Sequence, residues 1–313
     1  TAKASFYKVA GISGATITLA AAPAVYSGGV LITPADPRLV ASEGNMRATL
    51  TPVIVDPTGR YSSIQTITID QRNDVNLDVG GKVAVNAGTN IFLGTLGGLN
   101  IERVTASDAV RIKAKGDIVC VAASGVTITS SDLILESGLG AIGTAANPFD
   151  IALSASGSLQ GTLTARALNE VYITSAGTIK VEAVSSQSRG VYLTAGGSIL
   201  DALNSDSAKI AANRIELTAS GGTIGSATNF LETDLLGVPS SESPLIGTLT
   251  ATASGSVYLH ETLGDFNVDR ITSSGGEVSL RAHQSILDAS IAAGESTAKP
   301  GVDIFANTNI SLT

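Results

Sequence analysis

Tryptophan is absent from the 313-residue chain, and cysteine and histidine are nearly so. The single cysteine, Cys120, cannot form an internal disulfide, and the two histidines, His260 and His283, cannot by themselves make a closed zinc site. Six phenylalanines and six tyrosines are the only aromatic residues. A core with so few rings is narrow and is filled by Ile, Val, Leu and Ala.

Charge is also scarce. Charged residues make up 15% of the chain, against about 25% in an average globular protein. The 19 basic and 27 acidic residues give a net charge of −8, which argues against binding to nucleic acid or to an anionic membrane. No uninterrupted run of about 18 apolar residues occurs, so we expect no membrane insertion. The stretch Val9–Ala24 is broken by Thr and Gly, and Thr16–Leu19 within it is predicted to be a strand.

Gly, Ala, Ser and Thr together make up close to half of the chain, and they are arranged in repeats. Positions 91–118, 171–202 and 257–289 carry three copies of one pattern, with a long period of about 80–86 residues. Within the repeat, IGTAANPFD at 142–150 recurs as IGSATNFLE at 224–232. The tetrapeptide ILDA at 199–202 recurs in the third copy. Such self-similarity is typical of stacked repeat architectures.

A shorter period, of about 20 residues, runs inside each long copy. The triplet Val171-Tyr172-Ile173 recurs as Val191-Tyr192-Leu193, and Val257 recurs as Val278. Alternating apolar residues closed by turn residues indicate short strands. Because the same inward residues recur, the pattern favours stacked coils over a sandwich. We therefore predict an all-β fold, a parallel right-handed β-helix (β-solenoid) of about 20 residues per coil over residues 63–313.

One segment carries a family resemblance. Residues 190–199, GVYLTAGGSI, follow the pattern G-[IV]-x-[LV]-x-A-x-G-x-I, which resembles the repeat regions of large bacterial haemagglutinin-like exoproteins and adhesins. The resemblance covers roughly residues 63–313. It implies a secreted right-handed β-helix that projects from the cell surface. The N-terminal secretion domain of that class is not evident in this chain.

Positions 1–62 differ from the rest, because five of the nine prolines lie there and the repeat fades. We predict irregular coils continuous with the solenoid or a small flanking β-module. At the other end, Ile310-Ser311-Leu312 stops in mid-pattern without a polar cap. An open solenoid end exposes strand edges, so further chain or another copy is expected there. Since the chain starts at Thr1 and its one methionine is Met46, we expect an excised or processed piece.

Two segments read D-x-N-x-D and are the candidate metal ligands: Asp74, Asn76 and Asp78, and Asp265, Asn267 and Asp269. Hard oxygen ligands on alternate residues suit calcium, the one cofactor that the sequence suggests. In a strand, however, alternate residues lie about 6–7 Å apart on the outer face, so one ion requires a turn. A solvated outer face is the competing interpretation.

Four aromatic residues, Phe92, Tyr172, Tyr192 and Tyr258, stand at the centre of apolar triplets and are predicted to point outward. Tyr172 and Tyr192 are one coil apart and are expected to stack. A stripe of exposed rings binds sugars or packs on a neighbouring fibre. The alternative is that tyrosine stands there for its strand propensity alone.

Three acids, Glu102, Glu182 and Asp269, occupy equivalent places in the repeat, with about four coils expected between them. That separation is too large for a glycosidase pair, whose carboxylates lie about 5–10 Å apart. We therefore expect no enzyme, but an extracellular or cell-surface segment that is a structural stalk or an adhesive element, with assembly into a fibre left open. A surface glycan or host ligand is the expected partner. The alternative is a polysaccharide-binding or polysaccharide-cleaving β-helix.

Overall fold

The structure is a computed structural model that describes, with side chains, residues 74–157, 161–237, 247–289 and 302–313. Within residues 1–73 it describes the backbone of nine strands. The chain divides into two compact units, Thr1–Val75 and Asn76–Thr313. In the described residues, no helix is long and apolar enough to cross a membrane.

The described strands of the first unit pair antiparallel, in one three-stranded and three two-stranded sheets. The predicted strand Thr16–Leu19 is confirmed as β3. The nine strands are β1 (Ser5–Phe6), β2 (Val9–Ser13), β3 (Thr16–Leu19), β4 (Ala24–Ser27), β5 (Val30–Ile32), β6 (Arg47–Leu50), β7 (Val53–Val55), β8 (Tyr61–Ser63) and β9 (Ile67–Asp70).

The remaining strands form two parallel sheets of 12 strands each. They are β10 (Val75–Asn76), β11 (Lys82–Asn86), β12 (Ile91–Thr95), β13 (Leu99–Thr105), β14 (Val110–Ala114), β15 (Ile118–Cys120), β16 (Ile128–Ser130), β17 (Leu133–Ser137), β18 (Phe149–Leu153), β19 (Thr162–Ala167), β20 (Val171–Ser175), β21 (Ile179–Ser186), β22 (Gly190–Ala195), β23 (Ile199–Asp201), β24 (Ile210–Ala212), β25 (Arg214–Ala219), β26 (Leu231–Leu235), β27 (Thr248–Ala253), β28 (Val257–Glu261), β29 (Phe266–Ser273), β30 (Val278–Ala282), β31 (Ile286–Asp288), β32 (Ile304–Ala306) and β33 (Ile310–Leu312).

Successive strands alternate between the two sheets, which is the arrangement of a parallel β-solenoid. The first sheet runs β10-β12-β14-β17-β19-β21-β24-β26-β28-β30-β33, with β23 also paired to β21, and the second runs β11-β13-β16-β18-β20-β22-β25-β27-β29-β31, with β15 also paired to β13 and β32 to β29. Among the described strands of these sheets, the alternation is interrupted only where two consecutive short strands share one sheet: β15 and β16, β23 and β24, and β31 and β32. The fold class predicted from the sequence is thus confirmed. Val171 pairs with Val191 and Val257 with Val278, so these coils have the length of about 20 residues that the short period predicts. Other coils are longer because they carry loops, as between Arg214 and its partner Thr248.

The core lies between the two sheets and consists of aliphatic columns. Along one column of the first sheet, Ile179, Ile199, Ile224, Val257 and Val278 pair in register, and each is fully buried. Each coil adds about 4.8 Å to such a column, so like side chains stack directly on one another. The scarcity of aromatics follows from this narrow interior.

The long repeat spans three and a half coils, and not the four that its length suggested. The long strands β13, β21 and β29 are equivalent, and seven half-coils separate each from the next along the chain. An odd number of half-coils exchanges the sheets, so β13 and β29 lie in the second sheet and β21 in the first. Residues that are equivalent in sequence therefore lie alternately on opposite faces.

The block shared by 142–150 and 224–232 is a structural unit in both copies. Gly143 and Gly225 adopt φ of +69° and +65°. A Cβ atom on either glycine would overlap a backbone oxygen of the next coil, that of Tyr172 in one copy and that of Tyr258 in the other. Only glycine fits this combination of positive φ and close approach.

Candidate functional site

The three repeat-related acids lie at β-bulges. The register of the long strands skips Glu102, Glu182 and Asp269 relative to the preceding strand. Each carboxylate accepts a hydrogen bond from the coil before it: Glu102 from Lys82 Nζ (3.1 Å), Glu182 from Thr162 Oγ1 (3.0 Å) and Asp269 from Thr250 Oγ1 (3.0 Å). Each of these acids therefore contacts a residue of the preceding coil. Because the long strands lie alternately in the two sheets, the three carboxylates are not close to one another.

One coil after each long strand, two short strands take the place of one. The N-terminal half of each long strand pairs with one short strand and the C-terminal half with another. The residue that ends the first short strand and the residue that precedes the second differ between copies: Cys120 and Thr127 in the first, Asp201 and Lys209 in the second, Asp288 and Asp303 in the third. The pairing of two short strands with one long strand is thus the same in all three copies, whereas the two side chains at this position differ.

The middle copy holds a buried ion pair. Lys209 Nζ lies 3.8 Å from Asp201 Oδ1, and the two side chains are 1% and 0% exposed. The loop between them wraps the Lys209 Nζ, which donates to the carbonyl oxygens of Ser205 (2.8 Å) and Ser207 (2.6 Å). Asp201 Oδ1 also accepts the backbone N–H of Leu203 at 2.8 Å. A buried amine and a buried carboxylate therefore face each other at the neck of the loop.

Glu232 completes this cluster from the next coil. Its backbone carbonyl accepts the N–H of Lys209 at 2.9 Å, and the residue is 3% exposed. Burial raises the pKa of Glu232 to about 7, with the Asp201 charge adding to the rise and Lys209 opposing it. Within the described residues, Asp201 Oδ2 and Glu232 Oε2 have no hydrogen-bond partner. We call Asp201, Lys209 and Glu232 the loop-neck cluster.

Outward of the loop-neck cluster, the same ladder carries His260 and Arg281, which pair in register after Glu232. The guanidinium of Arg281 lies 3.8 Å from the centre of the Phe230 ring. Burial lowers the pKa of His260, and Arg281 lowers it further. Basic and acidic groups thus stand on four successive coils.

A second buried glutamate lies further along the same sheet. Glu261 is fully buried and accepts hydrogen bonds from Thr233 Oγ1 (2.7 Å) and from the backbone N–H of Leu235 (2.8 Å). Burial raises the pKa of Glu261 to about 7, although these two hydrogen bonds oppose the rise. Since both of its oxygens have donors, Glu261 is a satisfied structural group.

The predicted calcium ligands are held by the ladder in one of the two segments. Asp265 Oδ1 accepts the backbone N–H of Ser285 at 3.0 Å, Asn267 is buried and Asp269 binds Thr250 as described. In the other segment Asp74 is half-buried, whereas Asn76 and Asp78 are exposed. No group of three or more His, Cys, Asp or Glu residues placed to hold a metal occurs in the described residues. Calcium at either segment stays a prediction.

The aromatic residues lie on two faces because the long repeat exchanges the sheets. Tyr172 and Tyr192 stand side by side on the second sheet, with ring centres 4.3 Å apart and planes 7° apart. Phe92 and Tyr258 lie on the first sheet. Arg111 covers the Phe92 ring at 5.2 Å, and the Tyr258 hydroxyl donates to Glu277 at 2.9 Å. The expected stacking is present, but the four rings do not form one stripe.

The loop-neck cluster was not recognised in the sequence. Asp201 belongs to the repeated ILDA and Glu232 to the repeated IGSATNFLE, both identified only as repeats. Lys209 follows Ser-Asp-Ser-Ala, which is typical of a solvated loop. The repeat of ILDA marks where the loop begins, but the sequence pattern does not indicate that Lys209 and Glu232 are buried.

No protein-family model matches the chain, and comparisons with curated proteins and with solved structures find no match either. The resemblance to haemagglutinin-like exoproteins therefore rests on the repeat pattern alone.

Proposed function

We propose that this chain is a non-enzymatic, extracellular or cell-surface β-solenoid segment that is a stiff structural stalk with an adhesive face. The observation that carries the proposal is the continuous parallel pairing of two sheets around one aliphatic core. A solenoid in which every coil bonds only to its neighbours resists bending and holds surface groups at a fixed spacing.

The outer faces support a role as a passive stalk. On the first sheet, Lys113, Glu136 and Arg166 pair on three successive coils, with Nζ–Oε2 and NH1–Oε1 distances of 3.1 and 3.5 Å. Charges of opposite sign thus face each other along the rod axis. They also leave little unbalanced charge to attract a polyanion.

The second sheet offers the adhesive face. Beside the stacked Tyr172 and Tyr192, outward threonines pair in register on five successive coils: Thr174, Thr194, Thr218, Thr252 and Thr272. Aromatic faces next to hydroxyl donors suit a sugar, whose C–H and O–H groups match the two kinds of surface. A surface glycan is therefore the ligand that we propose, as in an adhesin.

This same face favours the second candidate, a polysaccharide-binding β-helix without a mechanical task. The two functions differ in what the rest of the rod contributes. A stalk requires length and stiffness, whereas a binding module requires only the few coils around Tyr172.

Assembly through other copies is part of the proposal. The last coil exposes the apolar side chains of Leu287, Val302, Phe305, Ile310 and Leu312. Parallel strands added to these edges would bury them and continue both sheets, as in β-strand addition between chains. Filaments built by end-to-end stacking would result.

The test combines electron microscopy with binding and activity measurements on the full chain. We expect rods or end-to-end filaments, binding to a glycan array, and loss of binding in the double variant Tyr172→Ser, Tyr192→Ser. The variant Tyr258→Ser, which removes a ring from the opposite sheet, is the matched control and should bind normally. Release of reducing ends from any polysaccharide on the array would overturn the non-enzymatic proposal. Compact particles instead of rods would overturn the stalk.

A further inference from the structure

The loop-neck cluster combines a nucleophile with an electrophile. The Lys209 amine and the Asp201 carboxyl are held 3.8 Å apart and excluded from solvent. Fixed proximity of this kind raises the effective concentration of one reactant around the other by orders of magnitude. A buried ion pair also carries a desolvation cost that a neutral product would not.

Glu232 supplies the third group that a condensation requires. Its backbone carbonyl accepts the N–H of Lys209 at 2.9 Å, and its side chain is buried. Burial and the Asp201 charge raise its pKa, which favours the protonated form. The unpartnered oxygens, Asp201 Oδ2 and Glu232 Oε2, are two acceptors that lack a donor. A proton on Glu232 turns one of these acceptors into a donor, which lowers the number of buried acceptors that lack one.

We propose that Lys209 and Asp201 form an intramolecular amide (isopeptide) bond, with Glu232 as the acid and base that assists its formation. The inference is independent of the proposed function, because it concerns the covalent structure of the loop and not a ligand.

The reaction balances without a further reactant. The Lys209 ammonium transfers a proton to the Asp201 carboxylate, which gives a neutral amine and a neutral carboxylic acid. The amine lone pair attacks Cγ of Asp201, forming the N–C bond. Glu232 donates its proton to the departing hydroxyl group, the C–O bond breaks, and one water molecule leaves. The carboxylate of Glu232 then takes back a proton from the nitrogen.

The loop holds the amine in place and suits the product as well. The carbonyls of Ser205 and Ser207 lie 2.8 and 2.6 Å from Nζ. They fix the position of Nζ at the neck of the loop, and one of them remains as acceptor for the single N–H of the amide. The product therefore leaves no buried donor without a partner.

The other two copies are natural comparisons within the chain. Cys120 and Thr127 take the equivalent places in the first copy, and the cysteine sulfur lies 3.2 Å from the threonine hydroxyl. Asp288 and Asp303 take them in the third. Neither pair contains an amine, so neither can form an amide, and of the three pairs Asp201 and Lys209 alone have the groups that the bond requires. The bond would join residues 201 and 209 into a ring and prevent the loop from opening.

Intact mass and tryptic peptides of the full-length chain test the proposal. We expect the wild-type chain to be lighter than its sequence by the mass of one water. After unfolding and trypsin digestion, cleavage after Lys209 should be blocked, which gives a peptide of residues 190–214 that lacks one water. A peptide of residues 190–209 at its full mass would overturn the proposal.

Variants separate the roles of the three residues. Lys209→Arg keeps the charge but cannot form the amide, so the sequence mass is expected. Asp201→Asn should still react, with loss of ammonia in place of water. Glu232→Gln should slow bond formation at least tenfold, whereas the matched control Glu261→Gln, another buried glutamate, should leave it unchanged. Equal rates in the two glutamine variants would remove Glu232 from the reaction.

Discussion

The Thr233 hydroxyl donates a 2.7 Å hydrogen bond to Oε2 of Glu261, in the core position one coil further along the first sheet. A carboxylate thus stands where the ladder pattern calls for an aliphatic side chain. Both of its oxygens are satisfied, but burial still raises the pKa of Glu261 to about 7. This relationship makes stability depend on pH.

We predict that the free energy of unfolding falls as the pH rises from about 4.5 to 7. Between these values the folded chain keeps the proton of Glu261 and the unfolded chain has released it. Unfolding then releases a proton and becomes more favourable with pH, by on the order of 3 kcal/mol over the window. Glu261→Gln should remove its part of this slope, so the variant is more stable than wild type at pH 8. Urea unfolding of both proteins at several pH values measures the slope of the free energy of unfolding against pH.

The control for this prediction is Glu102→Gln, because Glu102 is exposed. That change should leave the contribution of Glu261 to the slope in place. A Glu261→Gln variant with the wild-type slope would show that this carboxyl does not retain its proton in the folded chain.

Gly225→Ala should destabilise the solenoid more than Gly264→Ala does. Both glycines have positive φ, +65° and +73°, so alanine is strained at each by about 1–2 kcal/mol. At Gly225 the new Cβ would also overlap the Tyr258 carbonyl oxygen, whereas at Gly264 nothing lies within 4 Å. The difference in thermal unfolding between the two variants isolates the steric part. Equal destabilisation would contradict the close approach of the coils at Gly225.

Tyr172 and Tyr192 should show a favourable coupling of about 1 kcal/mol in a double-mutant cycle, because their rings are stacked face to face one coil apart. The cycle consists of the two single alanine variants and the double variant, each unfolded in urea. Tyr172 with Tyr258 is the control pair, since these rings lie on opposite sheets and should add independently. A coupling near zero for Tyr172 and Tyr192 would mean that the stacking is not maintained in solution.

Glu136→Gln, which removes the ion pairs of Glu136 with Lys113 and Arg166, should lower the free energy of unfolding by less than about 1 kcal/mol. Its partners Lys113 and Arg166 are well exposed, and exposed ion pairs contribute little because solvent and salt screen them. We expect the effect of Glu136→Gln on the unfolding midpoint to vanish in about 1 M salt. A larger, salt-independent loss would show that this ladder stabilises the stacking of the coils in a way that surface pairs do not.

The fold could be predicted because each coil repeats the same local rule. Triplets such as Val171-Tyr172-Ile173 recur at the spacing of one coil, and strand pairing between identical triplets needs no distant information. The stacking of Tyr172 on Tyr192 follows from that register. The recurrence of ILDA and of the segment that contains Gly225 also predicted real structural units.

The loop-neck cluster could not be found in this way, because its burial is made by contacts between coils. Lys209 is polar and lies in a serine-rich segment, and its burial requires a loop that folds back on the ladder and Glu232 in the next coil. The same holds for the faces of the rod. Equivalent residues lie on the same sheet if the repeat spans a whole number of coils, and on opposite sheets if it spans an additional half-coil. The lengths of the loops between strands determine which of the two occurs.

The scarcity of aromatics, cysteine and charge, together with the spacing of the apolar triplets, was sufficient to determine a narrow parallel β-solenoid. These are local properties, and each strand obeys them independently. Only the tertiary structure decided that the repeat spans three and a half coils, that Phe92 and Tyr172 lie on different sheets, and that Lys209 meets Asp201. Such relationships depend on the lengths of the segments that connect the strands. The residue pattern within a strand carries no information about those lengths.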